Sequence, residues 1–221
     1  MKLRNRLFER RAPSRDAKSY FNFCEGNNRE PQYFLYFKEI NSKINVHVIR
    51  AVDGEDNSPT GLYEKAAACI IKSRQNPNPE FQLLDIDEVW FAIDTDKWGP
   101  KIKELRLQCK KHPNWYIAQS NPCFEVWLLS HFRRSSRSFA SAKKACEELN
   151  TVWRQAFQNN YDKTDTAHYQ RLGPMTRAAI SNARLVRETD HRGAGEVEEC
   201  NSSTEVYLLV ERLLGPEPGK T

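Results

Sequence analysis

Apolar and polar positions follow two alternating rhythms along the chain. Lys18–Cys24 (KSYFNFC) reads as a strand that stops at Glu25-Gly26. Tyr33, Phe34, Phe37 and Ile40 then recur at helical spacing. Asn45–Val52 (NVHVIRAV) is a β-branched run, the second strand, ended by the polar DGEDNSPTG. Leu62–Ser73 (LYEKAAACIIKS) predicts an alanine-rich helix, and the loop RQNPNPEF leads to a third strand, Glu88–Ile93 (EVWFAI). Pro100 opens a helix carrying Ile102, Leu105 and Cys109, and Trp115–Ala118 (WYIA) is a fourth strand. Asn121-Pro122 then predicts a helix start, with Asn121 as N-cap and Pro122 in the first helical position.

Helix-length crossovers between short strands imply parallel pairing, since a tight hairpin cannot join parallel strands. From about residue 138 strand signals vanish. Ala142, Ala145, Leu149, Val152, Trp153 and Ala156 share one helical face. So do Val206, Leu209, Val210 and Leu213, behind an expected capping box, Ser202-x-x-Glu205. The predicted class is α/β: a small parallel sheet flanked by helices, with a helical C-terminal half. The expected division is a basic arm at 1–18, an α/β core at 19–135, a helical region at 136–214 packed on that core, and a tail at 215–221.

Composition narrows the setting. The 221 residues are 39% hydrophobic and 11% aromatic, enough for a real core. No apolar run approaches the ~18 residues of a membrane helix, and MKLRNRLFERRAPSR is not a secretory signal. The chain carries a surplus of +5, and residues 1–18 alone hold seven basic and two acidic residues. The arm therefore accounts for the whole surplus and can grip phosphates or simply stay solvated. Six cysteines lie far apart with no CxxC pair, which argues against a zinc site or a disulfide framework. Cys24 and Cys69 read as buried thiols. A reduced, cytoplasmic protein is expected.

Ligands of open parallel sheets bind outside the carboxyl ends of the strands. Strand one ends at Glu25-Gly26, strand three at Asp94-Thr95-Asp96, and strand four at Ser120-Asn121-Pro122, with Glu125 close behind. Like charges gathered there are costly unless something positive lies among them. Mg²⁺ is the simplest answer, because it takes oxygen ligands and keeps waters for a phosphate substrate. Asp94 and Asp96, two apart in an extended segment, can face one metal while Thr95 points away.

These segments carry a family resemblance. FCEGNNREPQYF followed by FAIDTDKWG resembles the Toprim pattern, a glutamate after the first strand and Asp-x-Asp after the third. More narrowly, EGNNREPQYF (25–34), AIDTDKWG (92–99) and SNPCFEVWLLSHF (120–132) are similar to the RloB-like, abortive-infection branch of that superfamily. NSPTGLYEKA (57–66), YDK (161–163) and SSTEVYLLVERLL (202–214) support the match, which spans roughly residues 19–214. The resemblance implies a Toprim (Rossmann-like) fold and a metal-dependent nuclease-like activity in phage defence, typically beside an AAA/ABC-type ATPase partner. It gives Glu25 the role of general acid or base and makes Asp94 and Asp96 holders of Mg²⁺ (or Mn²⁺), with Glu25 in the same metal set.

Glu30 and Glu125 are the candidate extra ligands, although acids also favour helix N-termini for ordinary reasons. Asn121 reads first as a cap and second as a substrate contact. Lys163 enters through the resemblance. Arg133, Arg134 and Arg137 form the better phosphate cluster, since arginine binds phosphate bidentately. Lys101 lies on the helix after Asp96. His131 reads as a satisfied, partly buried histidine, and Trp98 as either a base-stacking or a packed loop aromatic. Asp53, Glu55 and Asp56 read as a solvated loop. The expected partners are DNA or RNA and the ATPase, with no membrane, and a homo-oligomer stays open. Two rival readings remain: a non-catalytic subunit that binds nucleic acid or the ATPase, and a nucleotide phosphohydrolase.

Overall fold

A computed structural model describes residues 17–38, 40–52, 54–95, 98–134, 138–165, 167–190 and 202–215. Five strands form one sheet: β1 (Lys18–Cys24), β2 (Ile44–Ile49), β3 (Glu88–Asp94), β4 (Trp115–Asn121) and β5 (Ser203–Thr204). Their order is β2-β1-β3-β4-β5. The first four pair in parallel, and β5 pairs antiparallel with β4. The helices are α1 (Arg29–Leu35), α2 (Pro59–Ile70), α3 (Gly99–Cys109), α4 (Glu125–Ser130), α5 (Ala142–Phe157), α6 (Ala167–Leu172), α7 (Thr176–Leu185) and α8 (Val206–Leu214).

The alternation within each strand sorts the core onto two faces. Phe21 and Phe23 of β1 and Val89, Phe91 and Ile93 of β3 pack with Leu62, Ala66, Ile102 and Leu105 of α2 and α3. Tyr20, Cys24, Trp90 and Ala92 point the other way, against α1 and the C-terminal helices. That second face holds Tyr33, Phe34, Trp127, Trp153, Leu209 and Leu213, all essentially inaccessible. Both faces of the sheet are therefore covered, as parallel sheets require. No described helix is long and apolar enough to cross a membrane.

The α/β class with a helical C-terminal half stands as expected, and β1 runs over the predicted residues. Several boundaries differ. The first helix lies earlier than the Tyr33–Ile40 spacing suggests, and α2 starts at Pro59 because Ser58 caps it, its hydroxyl accepting the Gly61 N–H. Asn121 is not a helix cap. It is the last residue of β4, opposite Ser203 of β5, and the peptide bond to Pro122 is cis. The helix begins only at Glu125. A strand arriving from more than eighty residues downstream supplies the ladder that prolongs β4, and local propensity cannot register it.

That same strand corrects the C-terminal reading. Strand structure does return after residue 138, and the Ser202–Glu205 capping box does not form. Thr204 Oγ1 accepts the Val206 N–H at 3.2 Å, while the Glu205 N–H goes to the Gln119 carbonyl at 2.7 Å. Cys24 is buried, but Cys69 is only half-buried. On α5, Ala145, Leu149, Val152 and Trp153 are buried as predicted, while Ala156 is exposed.

Candidate active site at the strand tips

The strand order reverses between β1 and β3, whose neighbours on either side are β2 and β4. Such a switch point opens a crevice at the carboxyl ends of the strands. Glu25 and Asp94 stand at its two lips. The Glu25 N–H continues the ladder to the Ala92 carbonyl at 3.0 Å. Its carboxylate turns toward β3: Oε2 accepts the Asp94 N–H at 3.0 Å, and Oε1 accepts the Trp98 indole N–H at 2.7 Å. Two neutral N–H donors thus orient the carboxylate.

Behind Glu25 the chain makes a tight approach. A Cβ on Gly26 would lie 2.2 Å from Glu30 Oε2, so only glycine leaves room for the Glu30 carboxylate. Glu30 is 3% exposed and Oε2 has no partner among the described residues. Glu125 is 1% exposed. It pairs with Arg29, and its Oε2 likewise lacks a partner among the described residues.

Arg29 ties these acids into one electrostatic unit. Burial works against its charge, yet Glu125, Glu30 and Asp94 outweigh that penalty and strengthen its hold on the proton. Burial pushes the Glu30 carboxyl up, helped by Glu125 and Glu25, with Arg29 opposing. Asp94 is pushed well above the usual carboxylate range by burial and then by Glu30, Glu25 and Glu125, against the pull of Arg29. One guanidinium is therefore too little positive charge for the acids around it. Burial raises Tyr161 and Tyr169 too, the latter to about 12, and both hydroxyls feel Glu125 and Arg29. Neither hydroxyl has a partner at hydrogen-bonding geometry among the described residues.

The tip of β4 is laced to that of β3 through Thr95. Its N–H donates to the carbonyls of Ser120 and Pro122 at 2.9 and 3.2 Å, and its hydroxyl to Ser120 at 3.0 Å. Gln119 Nε2 donates back to that hydroxyl at 2.7 Å, while Arg106 bridges Gln119 and Glu205 at 2.6 and 3.1 Å. Thr95 is thus turned toward β4. The NSPTG segment also reaches the site, the Asn57 amide donating to the Glu25 carbonyl at 3.4 Å.

Of the sequence-selected residues, Glu25, Glu30, Asp94 and Glu125 come together. Asp96 and Arg137 lie outside the described residues, as do Asp53, arm residues 1–16 and tail residues 216–221. Asn121 is buried at the end of β4. Lys101 is exposed with its ammonium 5.2 Å from the Trp98 ring centre, beside Glu25. Arg133 pairs with Glu148, Arg134 is exposed, and Lys163 lies in an exposed turn. Glu55 pairs with Lys65 at 2.5 Å, and Asp56 accepts the Ser58 N–H at 2.9 Å, so that loop has local work. His131 is buried against Tyr33, its Nε2 3.2 Å from the hydroxyl, and burial holds it down at about 4.

Sequence reasoning did not single out Arg29, Tyr161, Tyr169, or the pairing of Cys123 with Cys146. Arg29 sat in view between Gly26 and Glu30, and its sign was the available signal. The cysteines offered none, because their spacing matches no ligand motif. Cys123, Glu125 and Cys146 nevertheless bring one ligand atom each within 4.8 Å of one another, a group that could hold a metal ion. The acid cluster fits a cation on separate grounds: orphaned carboxylate oxygens on Glu30 and Glu125, and an Asp94 under like-charge pressure.

No curated protein and no solved structure matches the chain. A family model described as RloB-like protein matches residues 20–213, which takes in every strand tip and helix of the site. The chain belongs to the RloB-like protein family.

Proposed function

We propose that the chain is a metal-dependent, Toprim-type nuclease acting as an anti-phage effector with an ATPase partner, in the cytoplasm. One observation carries this reading. Three acids, Glu30, Asp94 and Glu125, press on Arg29, Glu25 adds its charge against Glu30 and Asp94, and Glu30 and Glu125 each keep a buried oxygen without a partner among the described residues. A structural ion pair would balance its charges, whereas this cluster is built with an excess of negative charge that a hard dication would cancel.

Glu25, Asp94 and Asp96 would hold Mg²⁺ or Mn²⁺, with Glu30 and Glu125 in support. A bound dication supplies charge stabilisation at phosphoryl oxygens and a more acidic water. The remaining chemistry belongs to the chain. Glu25, fixed by the Asp94 and Trp98 N–H groups at the mouth of the crevice, would orient an attacking water and take its proton. Arg29 pairs with Glu125 and limits the repulsion that would otherwise drive the acids apart. Lys101, exposed beside Trp98, and the Arg133–Arg137 stretch offer positive charge for a nucleic-acid backbone, DNA or RNA.

The test is cleavage by purified protein of supercoiled DNA, total RNA and tRNA, with Mg²⁺, Mn²⁺ or chelator, alone and with the ATPase. Cation-dependent scission that disappears in E25Q and D94N is expected. Intact polynucleotides together with phosphate release from free nucleotides would move the assignment to a nucleotide phosphohydrolase. Undiminished cellular toxicity in both variants would move it to a non-catalytic subunit.

A further inference from the structure

Cys123, Glu125 and Cys146 form a cluster of different chemistry from the acids at the strand tips. Cys123 lies in the short link between β4 and α4, Glu125 opens α4, and Cys146 lies in the second turn of α5. The two cysteines are 23 positions apart, yet their sulfurs and a Glu125 oxygen all lie within 4.8 Å of one another. That spread suits ligands around one ion, given metal–sulfur bonds of ~2.3 Å and metal–oxygen bonds of ~2.0–2.2 Å.

Donor type selects the ion. Two sulfurs and one carboxylate are wrong for Mg²⁺, which wants an oxygen shell, and right for Zn²⁺. A second observation points to a ligand independently of the sulfurs. Glu125 is 1% exposed and its Oε2 has no partner among the described residues, while Arg29 occupies Oε1. Among the described residues, the groups that reach this carboxylate besides Arg29 are the Cys123 and Cys146 thiols, which are weak donors, and a cation held by all three would replace those weak contacts with metal–ligand bonds. Cys146 is the half-buried member, giving the cluster a side open to solvent. Three protein ligands leave a fourth position for water.

We propose that Cys123, Glu125 and Cys146 bind Zn²⁺ as a clamp between the β4–α4 corner and α5. As two sulfur–metal bonds form, the two thiol protons leave to solvent. The ion ties the first helix of the C-terminal half to the strand end that carries Asn121 and Pro122. The proposal shares Glu125 with the acid cluster of the nuclease reading, but it needs no substrate and no hard cation.

Cobalt(II) is the probe, added to the full-length reduced protein with Mg²⁺ in excess so that oxygen-only sites are filled. One equivalent is expected to give a thiolate-to-cobalt charge-transfer band and tetrahedral d–d bands, bleached by one equivalent of Zn²⁺. Zn²⁺ should also shield two of the six cysteines from a thiol reagent and raise the melting temperature. C146S, at the accessible position, should lower cobalt affinity by more than the ~10–100-fold that outer-shell changes produce. C123A, with its fold checked by circular dichroism, should lose the band as well. A cobalt spectrum without a sulfur band, or a sulfur band unchanged in C146S, overturns the proposal. Recovery of Cys123 and Cys146 as a mutual disulfide that no metal prevents does the same. Loss of nucleic-acid cleavage moves none of these readouts, so failure of the one reading is distinguishable from failure of the other.

Discussion

Glu25 crosses from the tip of β1 to the tip of β3 and accepts the backbone N–H of Asp94 at 3.0 Å. The contact makes the geometry of one acid depend on the main chain of the next. Because Asp94 closes β3, the Glu25 carboxylate is held by a sheet element rather than by a loop. Proton transfer rewards such fixing, since a general base must stay within hydrogen-bond reach of its proton.

Glu25→Gln should therefore do more than remove a charge. The carboxylate accepts two N–H groups, whereas an amide offers one oxygen and turns an NH₂ toward the second donor. We expect loss of cleavage together with destabilisation of ~1–3 kcal/mol, the cost of leaving a part-buried donor unmade. Trp98→Phe keeps an aromatic ring but removes the N–H donor together with the five-membered half of the indole, so about 1 kcal/mol for the hydrogen bond, a further loss of packing and partial activity are expected. Urea denaturation beside cleavage rates checks both. E25Q as active as the parent would remove Glu25 from the chemistry.

Gly26→Ala isolates the close approach behind Glu25. The new methyl would sit 2.2 Å from Glu30 Oε2, so the Glu30 side chain must leave its place. Overpacking of this kind costs ~1–3 kcal/mol. Double substitution with Glu30→Gly opens the space again, so a stability penalty smaller than the sum of the single changes is expected. Strictly additive penalties in that cycle would mean that Gly26 does not need its size for Glu30.

Most of this architecture is legible in the residues, for reasons that also mark the limits. Strands such as EVWFAI and helices such as Ala142–Phe157 carry their periodicity locally, and the strand-end rule then leads to Glu25 and Asp94. Asn121 misleads because its local preference for capping yields to a tertiary partner, Ser203. Glu125 stands out only through its place in a specific block, and Arg29 only through its sign beside Glu30, because a helix-start arginine looks like a surface residue until Glu125 is folded against it. The Cys123–Cys146 approach is invisible for the same reason: it depends on how α5 docks and on no spacing within the chain.

Arg29 is the cation that the described acids share, which sets the penalty for losing it. Glu125 is 2% exposed at its side chain, so Arg29→Ala strands a buried carboxylate. Breaking such a pair from one side costs ~3–5 kcal/mol. Arg29→Lys keeps the charge without the planar fork and should recover part of that loss. Millimolar Mg²⁺ should stabilise R29A more than the parent protein, because more uncompensated charge awaits it. Equal Mg²⁺ responses in thermal melts of the two proteins would count against a shared electrostatic unit.

The raised acids make stability depend on pH in a direction opposite to that of most carboxylates. Asp94 and Glu30 hold their protons more tightly folded than unfolded. Their contribution is therefore fully present below the unfolded carboxylate value of about 4 and is lost as pH rises through the raised folded values. His131, held down at about 4 in the fold, works the other way: its contribution is present above the ordinary histidine value of about 6.5 and is lost as pH falls toward 4. A difference measurement separates the two. In chelator at neutral pH, Glu30→Gln should be more stable than the parent, and that advantage should shrink as the pH is lowered toward 4. Addition of Mg²⁺ should reverse the order, because the parent gains a neutralised carboxylate and the variant does not. Denaturant midpoints across pH 4–8, with and without Mg²⁺, decide it. A variant less stable than the parent in chelator at every pH would show Glu30 to be an ordinary, well-paired carboxylate and would remove the excess negative charge on which the dication site depends.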